Sequence, residues 1–564
     1  MKKLITIIIP VVLILLVAVV GAGTFLYERY SYTKERADVA AYYQLVESDK
    51  VAITIQNERV DAQALIIGEM YYLDIDSVKE YLNDRFYVDY NESLLLYTTA
   101  VNTSRVVIEE SQYIQDDVMT GTDYIIATYQ GETLYVALDY VQNFTNFSYE
   151  VYTDPNRMQI YTEFQTYEVA TLTKDSAVRE LGGVKSPILR DLEEGEEVII
   201  LEEMDEWSKI KTNDTYIGYV ENKLLDNYTT RTIQEVTDYV EVEYTSVHKD
   251  YKISMGWHQV TNVDANGLLG DVLGTSTGIN TISPTWYYLS DNEGGLLDIS
   301  SASYVQTAHN SGVEVWALIE NITYSSDIDF KEIMSYTTKR TRIIENLVQS
   351  VLSCGADGIN IDFENVPEDA GEDYIQFIRE LSVVCREEGL VLSIDNYVPM
   401  AHTEHYNREE QGIVADYVVI MGYDEHWHGS GDAGSVASFE FVKSGITQTL
   451  AEVPAEKIIN GIPFYTNIWK TEGGVTTDQQ VGMAYAEQFV AESGAEPIWD
   501  EVTLQYYVKW TSGEAMYEIW LEEESSIEAK LGLMDYYEIA GVAQWKLGLE
   551  KSQIWDVINA YLEN

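Results

Sequence analysis

"GADGINIDFENV", Gly355 to Val366, reads as a short buried strand with an unexpected polar face. Side chains alternate along a strand, so Ile359, Ile361 and Phe363 form one continuous apolar face. Asn360, Asp362 and Glu364 point together to the other side. The segment is short, led by glycine and flanked by helical patterns, so neither face reads as open solvent. Two acids and an amide aimed at a protein interior call for a chemical reason.

From Tyr251 onward strands alternate with helical patterns, which is the signature of repeated βα units. Strands are predicted at "ISMGW", "TISPTWYYL", "VEVWALI", "GINIDF", "VLSID", "YVVIM", "IINGIPFY" and "GVAQW". Eight such strands over 251–564 predict a C-terminal α/β (β/α)8 TIM barrel, a fold that takes about 250 residues plus insertions. The excess falls between strands seven and eight. It forms an expected α+β insertion over about 466–524 with an aromatic hairpin, "TLQYYVKW–TSGE–AMYEIWLEE". Active sites of such barrels lie at the C-terminal ends of the strands. Asp362 and Glu364 end strand four there, Tyr423 follows strand six in "MGYDEHW", and Trp545 ends strand eight. Two carboxylates, a phenol and an indole converging on one pit suit sugar binding, with a ring to stack a pyranose and acids beside it.

These residues carry a family resemblance. "DGINIDFE" resembles the D-G-x-D-x-D-x-E signature of family 18 glycoside hydrolases, the chitinases and their relatives. "MGYD" resembles their M-x-Y-D, and "GVAQW" their last strand with its floor tryptophan. "YEIWLEEESSIEAKLGLMDYYEIAGVAQWKLG" is further similar to the branch of spore-cortex and peptidoglycan N-acetylglucosaminidases. The resemblance spans roughly 251–564 and implies Glu364, Asp362 and Tyr423 as catalytic residues. It implies Asp424, Trp545 and position 360 as substrate-facing, and Asp357 as structural. Asn360 departs from the signature, where the family has Asp. Trp257, Trp286 and Trp316 are read as ending strands one to three, as sugar platforms or as core packing; Trp286 is carried among the substrate-binding residues.

Spacing constrains the mechanism. Ordinary retaining glycosidases place two carboxyl groups about 5–5.5 Å apart on opposite faces of the sugar. Asp362 and Glu364, two apart on one strand, approach from the same side, so neither serves as nucleophile to the other's acid. The substrate's own 2-acetamido oxygen is then expected to attack. Glu364 is expected to protonate the leaving oxygen, Asp362 to orient the acetamide, and Tyr423 to hold its carbonyl. An amide at 360 is expected to donate to Asp362, relieve acid–acid repulsion and leave Asp362 ionised to lower pH than a full acid triplet would. The competing reading is a chitinase-like lectin, a wall-glycan-binding scaffold without catalysis. Such proteins usually lose the terminal Glu, which is present here as Glu364.

The N-terminal half is modular. Residues 4–27 carry no charge and follow Lys2 and Lys3, which predicts a signal-anchor over 1–27 with the rest extracytoplasmic. The resemblance places the protein at a bacterial, Gram-positive cell membrane. Residues 28–48 read as a polar, helical juxtamembrane connector. Residues 49–164 are tyrosine-rich and repeat themselves: "YLDIDSV" (Tyr72–Val78) matches "YVALDYV" (Tyr135–Val141), and "FYVDYNESLLLYT" matches "YEVYTDPNRMQIYT". This α+β repeat-containing region resembles the N-terminal domain of copper amine oxidases, used as a stalk in bacterial wall proteins. Within 167–228, "GEEVIILEEMDEWSKI" followed by "GYVENKLL" resembles bacterial SH3-like domains, small all-β barrels that often contact wall peptides or glycans. An acidic linker is expected over 229–250.

Across the 564 residues, 94 acids against 35 bases give a net charge of −59. A field of that sign repels phosphates and excludes nucleic acid as a partner class. With only Cys354 and Cys385, no disulfide framework is expected. No cofactor and no metal is expected. His426 and His428 sit two apart on a loop and lack helical i,i+4 spacing, so rim hydrogen bonding fits them better than chelation.

Overall fold

The computed structural model of the protein describes residues 2–235 and 237–563. Met1, Val236 and Asn564, which belong to the expected anchor, linker and barrel, lie outside the described residues. So do the side chains of residues 2–7, and with them the two leading lysines. The chain divides into two compact units, one of 1–86, 106–113 and 120–241, the other of 87–105, 114–119 and 242–564.

The second unit holds a closed barrel of eight parallel strands. They are β1 (Ile253–His258), β2 (Thr281–Leu289), β3 (Glu314–Glu320), β4 (Gly358–Asp362), β5 (Val391–Tyr397), β6 (Tyr417–Met421), β7 (Ile458–Pro463) and β8 (Gly541–Trp545). Each pairs with its sequence neighbour, and β8 closes the ring onto β1. All eight expected strands are present.

β4 lies between helices α1 (Thr337–Cys354) and α2 (Gly371–Glu388). The glycine that leads the opening stretch ends α1: Gly355 takes φ 78°, a left-handed cap that costs a residue with a Cβ more than it costs glycine. Gly358 is needed for closeness, because a Cβ there would lie 2.7 Å from the Val391 carbonyl oxygen. Ile359, Ile361 and Phe363 are buried under the helices, each worth about 1.5–3 kcal/mol of burial. The Phe363 ring packs against Phe330, Tyr374 and Phe377 at 5.5, 6.1 and 5.7 Å. Both cysteines are free, Cys354 at the end of α1 and Cys385 buried in α2.

Between β7 and β8 stands the α+β insertion, a five-stranded sheet with the helix Met483–Ser493. Its hairpin pairs Gln505–Ser512 with Ala515–Leu521 and turns at Gly513. Trp510 and Tyr517 stack across it at 5.1 Å.

A second hairpin, Tyr87–Asp89 with Leu94–Thr98, belongs to this unit although it lies inside the tyrosine-rich repeat region. It caps α1. The helix begins after Tyr336, which offers no capping oxygen, and Asp89 Oδ2 accepts from the Thr337 N–H and hydroxyl at 2.7 Å each. Glu92 does the same for Thr338, with the N–H at 2.9 Å and the hydroxyl at 2.6 Å.

The first unit contains two seven-stranded sheets. In one, the matched segments lie side by side as strand–helix pairs. Met70–Asp74 leads into Ile75–Tyr81, Thr133–Ala137 leads into Leu138–Val141, and the two strands are antiparallel neighbours. The second match then diverges from the first, since Ser148–Tyr152 and Arg157–Tyr161 extend this sheet. The other sheet, from Thr166 to Thr232, is the SH3-like barrel. Its last strand, Leu225–Thr232, runs through the expected start of the linker at 229.

The expected helical connector over 28–48 is mostly not helical. After the long helix Lys2–Tyr30 the chain is extended, and a single turn, Val39–Tyr42, follows. Backbone pairing explains this: Ile188 donates to Glu35 O at 2.8 Å, and Ala37 donates to Ile188 O at 2.9 Å. Tyr43 then inserts into the SH3-like core beside Leu172, Val178 and Val220. Residues 8–30 form a helix of mean hydropathy 2.7 with none of it buried in the protein, long and apolar enough to cross a membrane or to serve as a signal sequence.

Candidate functional site

The even positions of β4 face the barrel interior, as alternation requires. Asn360 is fully buried, and every polar atom of its amide is used by the protein. Its oxygen accepts from Trp257 Nε1 at 3.0 Å and Ser283 Oγ at 2.9 Å. Its nitrogen donates to Ser393 Oγ at 3.1 Å and to Asp395 Oδ1 at 2.8 Å. Two expectations are corrected by this geometry. Asn360 is not open to substrate, and its amide serves Asp395 on β5, not Asp362.

The expected relief of repulsion is therefore reversed. Asp362 is pushed well above the usual carboxylate range, first by burial and then by Asp395, Glu364 and Glu320. Its Oδ1 is shut off from solvent with no hydrogen-bond partner in the protein. Asp395 is pushed up to about 8 by burial and by Glu364, against the hydrogen bond from Asn360. A carboxyl raised from 3.8 to about 8 in the folded state is protonated there while the unfolded chain has already ionised. The folded state thus binds the extra proton between those values, and stability is lost as pH rises through them. We expect the melting temperature to fall from pH 5 to pH 8. The Asp395→Asn variant should show a shallower fall in a calorimetric pH series.

Glu364, two residues beyond β4, is half-buried and fixed at both ends. Asn321 clamps its backbone, accepting from the Glu364 N–H at 2.9 Å and donating to its carbonyl at 2.8 Å. Tyr397 donates to Glu364 Oε2 at 2.6 Å. Burial raises the Glu364 carboxyl, and the Asp424 and Glu320 carboxylates add to this against the Tyr397 hydrogen bond. A carboxyl so held keeps its proton to higher pH than a free one, as a proton donor requires.

Tyr423 follows β6 and is buried, its ring 6.3 Å from Trp257 and 6.2 Å from Tyr465. Asp424 takes a left-handed φ of 61° and accepts from Tyr465 OH. Trp545 ends β8, half-buried, its ring 5.8 Å from Trp257. Asp357 sits just before β4, at the opposite end of the barrel. Its Oδ2 accepts from the Val315 N–H and pairs with His309 Nε2, both at 2.8 Å.

Trp286 does not reach the site. It is fully buried, donates to Asn266 Oδ1 at 2.8 Å and packs edge-on against Tyr304. Trp316 lies near the start of β3, stacked on Tyr417 at 5.4 Å, and Trp257 is the inner donor to Asn360. For all three, core packing is the reading that holds. Asp395, Tyr397, Asn321 and Tyr465 are the site residues that strand reading passed over. Ser393 and Asp395 alternate with Ile394 in "VLSIDNY", the same inward parity that singled out Asp362. In the rim loop His428 Nδ1 bonds Asp478 at 2.6 Å, and His426 bonds the Asp432 carbonyl at 3.1 Å. Among the described residues no group of three or more His, Cys, Asp or Glu is arranged to hold a metal ion.

A closed parallel barrel with clustered, proton-holding carboxyls at one strand end defines a hydrolase of the sugar-cleaving kind. Residues 215–550 match Glycosyl hydrolases family 18, and the chain belongs to that family. Residues 175–226 match the bacterial SH3 domain. The chain is 28% identical over 299 residues to the "Uncharacterized glycosylase YvbX" of Bacillus subtilis (strain 168), covering 50% of this chain and 84% of that one. It is 29% identical over 247 residues to the "Cortical fragment-lytic enzyme" of the same organism, covering 42% of this chain and 57% of that one. Among solved structures, a chitinase from Chromobacterium violaceum ATCC 12472 shares the fold, with a TM-score of 0.50 at 20% identity over 56% of this chain and 99% of that one.

Proposed function

We propose that this glycosidase is held at the membrane by its N-terminal helix and cleaves β-1,4-linked N-acetylglucosamine polymers of the cell wall outside the cytoplasm. The observation that carries the reading is the pairing on β4. Glu364 is a raised, clamped carboxyl, and Asp362, two residues before it, has a buried oxygen without a partner.

Glu364 gives its proton to the leaving glycosidic oxygen while the substrate's acetamide oxygen attacks the anomeric carbon. The orphaned Asp362 carboxyl receives the acetamide N–H and stabilises the positive charge that develops there. Tyr423 holds the acetamide carbonyl, and Trp545 stacks against the sugar ring. Glu364 as carboxylate then takes a proton from water, which opens the cyclic intermediate with net retention. The long helix is retained as an anchor, because it ends in bulky Phe25, Leu26 and Tyr27 where a cleavage site favours small residues. A cortex-lytic relative and the SH3-like domain favour peptidoglycan over chitin as the polymer. Residues 49–164, apart from the hairpin that caps α1, serve as a stalk.

Incubating the detergent-solubilised chain with peptidoglycan strands and with chitin oligomers, then identifying new reducing ends by mass spectrometry, tests the assignment. New N-acetylglucosamine ends from peptidoglycan support it. Binding to both without new ends would make the protein a glycan-holding scaffold.

A further inference from the structure

The barrel mouth is a poor place for an anion. Glu320, Asp362, Glu364 and Asp424 gather there, in a chain of net charge −59. Chitin is neutral, but a peptidoglycan strand carries N-acetylmuramic acid, with a carboxyl on its lactyl ether, at every second sugar. Such a strand approaches against the field unless a cation receives it. The loops that follow the eight strands, together with the insertion, contain Lys470, Lys509, Lys546 and Lys551 and no arginine. Three of these have carboxylate partners: Lys470 has Glu472 at 2.5 Å, Lys509 has Glu518 at 3.0 Å, and Lys551 has Glu487 and Glu524. Lys546 is the exception. Among the described residues no carboxylate lies within ion-pair distance of it, and its ammonium donates to the Gln259 side-chain oxygen. We propose that Lys546 is a specificity-determining residue that binds a carboxylate of the muramic acid unit beside the cleaved N-acetylglucosamine. That carboxylate is the lactyl one in a bare strand, or one on the stem peptide where the lactyl group is amidated. This rests on the reading of the protein as a peptidoglycan-cleaving glycosidase.

Place and surroundings both fit that role. Lys546 directly follows Trp545, the last residue of β8, at the barrel end that carries Glu364. Gln259 directly follows β1, the strand beside β8, and is exposed, so the ammonium stands on the rim between these two strands. In the ring of eight, β8 lies opposite β4. A sugar stacked on Trp545 with its scissile bond at Glu364 therefore has its far end toward the β8–β1 rim. In an alternating strand both neighbours of that N-acetylglucosamine are muramic acids. Lys546 is half-buried, and burial holds its ammonium below the usual lysine range with no carboxylate to lift it. A cation already stripped of part of its water loses less on meeting an anion than an exposed one does. His258 next to it adds no second charge. Burial and then Lys546 push its imidazole down to about 4, so it is neutral at neutral pH. The contact offered to a ligand is thus one charge-assisted hydrogen bond, roughly twice as strong as a neutral one.

The test compares the full-length wild type with Lys546→Met, which keeps the stem and removes the charge, and with Lys546→Arg, which keeps the charge. The substrates are glycan oligomers of equal length. Two are neutral: chitin, and peptidoglycan strands whose lactyl carboxyls are converted to methylamides. Two are anionic: bare peptidoglycan strands and strands that keep their stem peptides. Losing a hydrogen bond to a charged group costs on the order of tenfold in affinity. In Lys546→Met, kcat/KM on an anionic strand should fall about tenfold relative to the methylamide strand, through KM more than kcat, and Lys546→Arg should keep most of it. A loss on bare strands assigns the lactyl carboxylate, and a loss on peptide-bearing strands assigns the stem. The wild type should favour an anionic strand over the methylamide strand by about the same factor, a comparison that stands even if Lys546→Met does not fold. An equal loss on all four substrates, or a wild type that takes methylamide strands as well as both anionic ones, would leave Lys546 a structural partner of Gln259 and overturn the inference. Calorimetric binding in the Glu364→Gln background reads the same contrasts without turnover. It decides the inference even if the wild type cleaves none of the oligomers, an outcome that would defeat the functional reading instead.

Discussion

Replacing Glu364 by Gln is expected to lower kcat on N-acetylglucosamine oligomers by on the order of 10³-fold while leaving oligomer affinity within a few fold. The amide keeps the volume of the carboxyl and still accepts the Tyr397 hydrogen bond through its oxygen. Asn321 holds the backbone by N–H and carbonyl, which the substitution does not touch. What disappears is the transferable proton. Paired kinetics and calorimetric binding read the two effects separately. A Glu364→Gln protein with near-wild-type turnover would remove Glu364 from the chemistry.

The second large effect concerns stability and starts far from the barrel mouth. Arg340 in α1 is fully buried and forks onto Glu380 of α2, with Nε and Nη2 each 3.0 Å from a carboxylate oxygen. Its Nη1 donates to the Met334 carbonyl at 2.6 Å and to Tyr87 OH at 3.1 Å, and Tyr87 in turn donates to Asp373 at 2.6 Å. Truncating one member of a buried ion pair leaves the other charge stranded, at a cost of about 3–5 kcal/mol. Arg340→Ala should destabilise the barrel unit by about that amount in urea. Arg340→Met with Glu380→Leu, which removes both charges, should recover most of the loss. If Arg340→Ala costs less than about 1 kcal/mol, the network does not support the two helices that flank β4.

Much of the barrel was legible because alternation is local. Ile359, Ile361 and Phe363 against Asn360, Asp362 and Glu364 is a pattern that one strand displays by itself. The same parity marks Ser393 and Asp395, but a lone Asp in "VLSIDNY" says nothing of Asn360 until the two strands lie in register. Trp286, expected at the substrate, proved a packing residue for a related reason. A strand's sequence does not tell how far each ring sits from the barrel rim, and Trp286 and Trp316 find partners in Asn266 and Tyr417. The hairpin at Tyr87–Thr98 was legible as strands but not as a cap. Its repeat partner at 149–162 pairs within its own sheet, whereas Asp89 and Glu92 engage a helix about 245 residues later.

In the proposed mechanism the substrate's own acetamide is the nucleophile, since Asp362 ends β4 and Glu364 lies two residues beyond it, on the same side of the sugar. Offering the full chain matched N-acetylated and fully de-N-acetylated glucosamine oligomers of equal length tests it most directly, with cleavage followed by mass spectrometry. Cleavage of the acetylated oligomer alone is the expected result. Equal cleavage of both would contradict it.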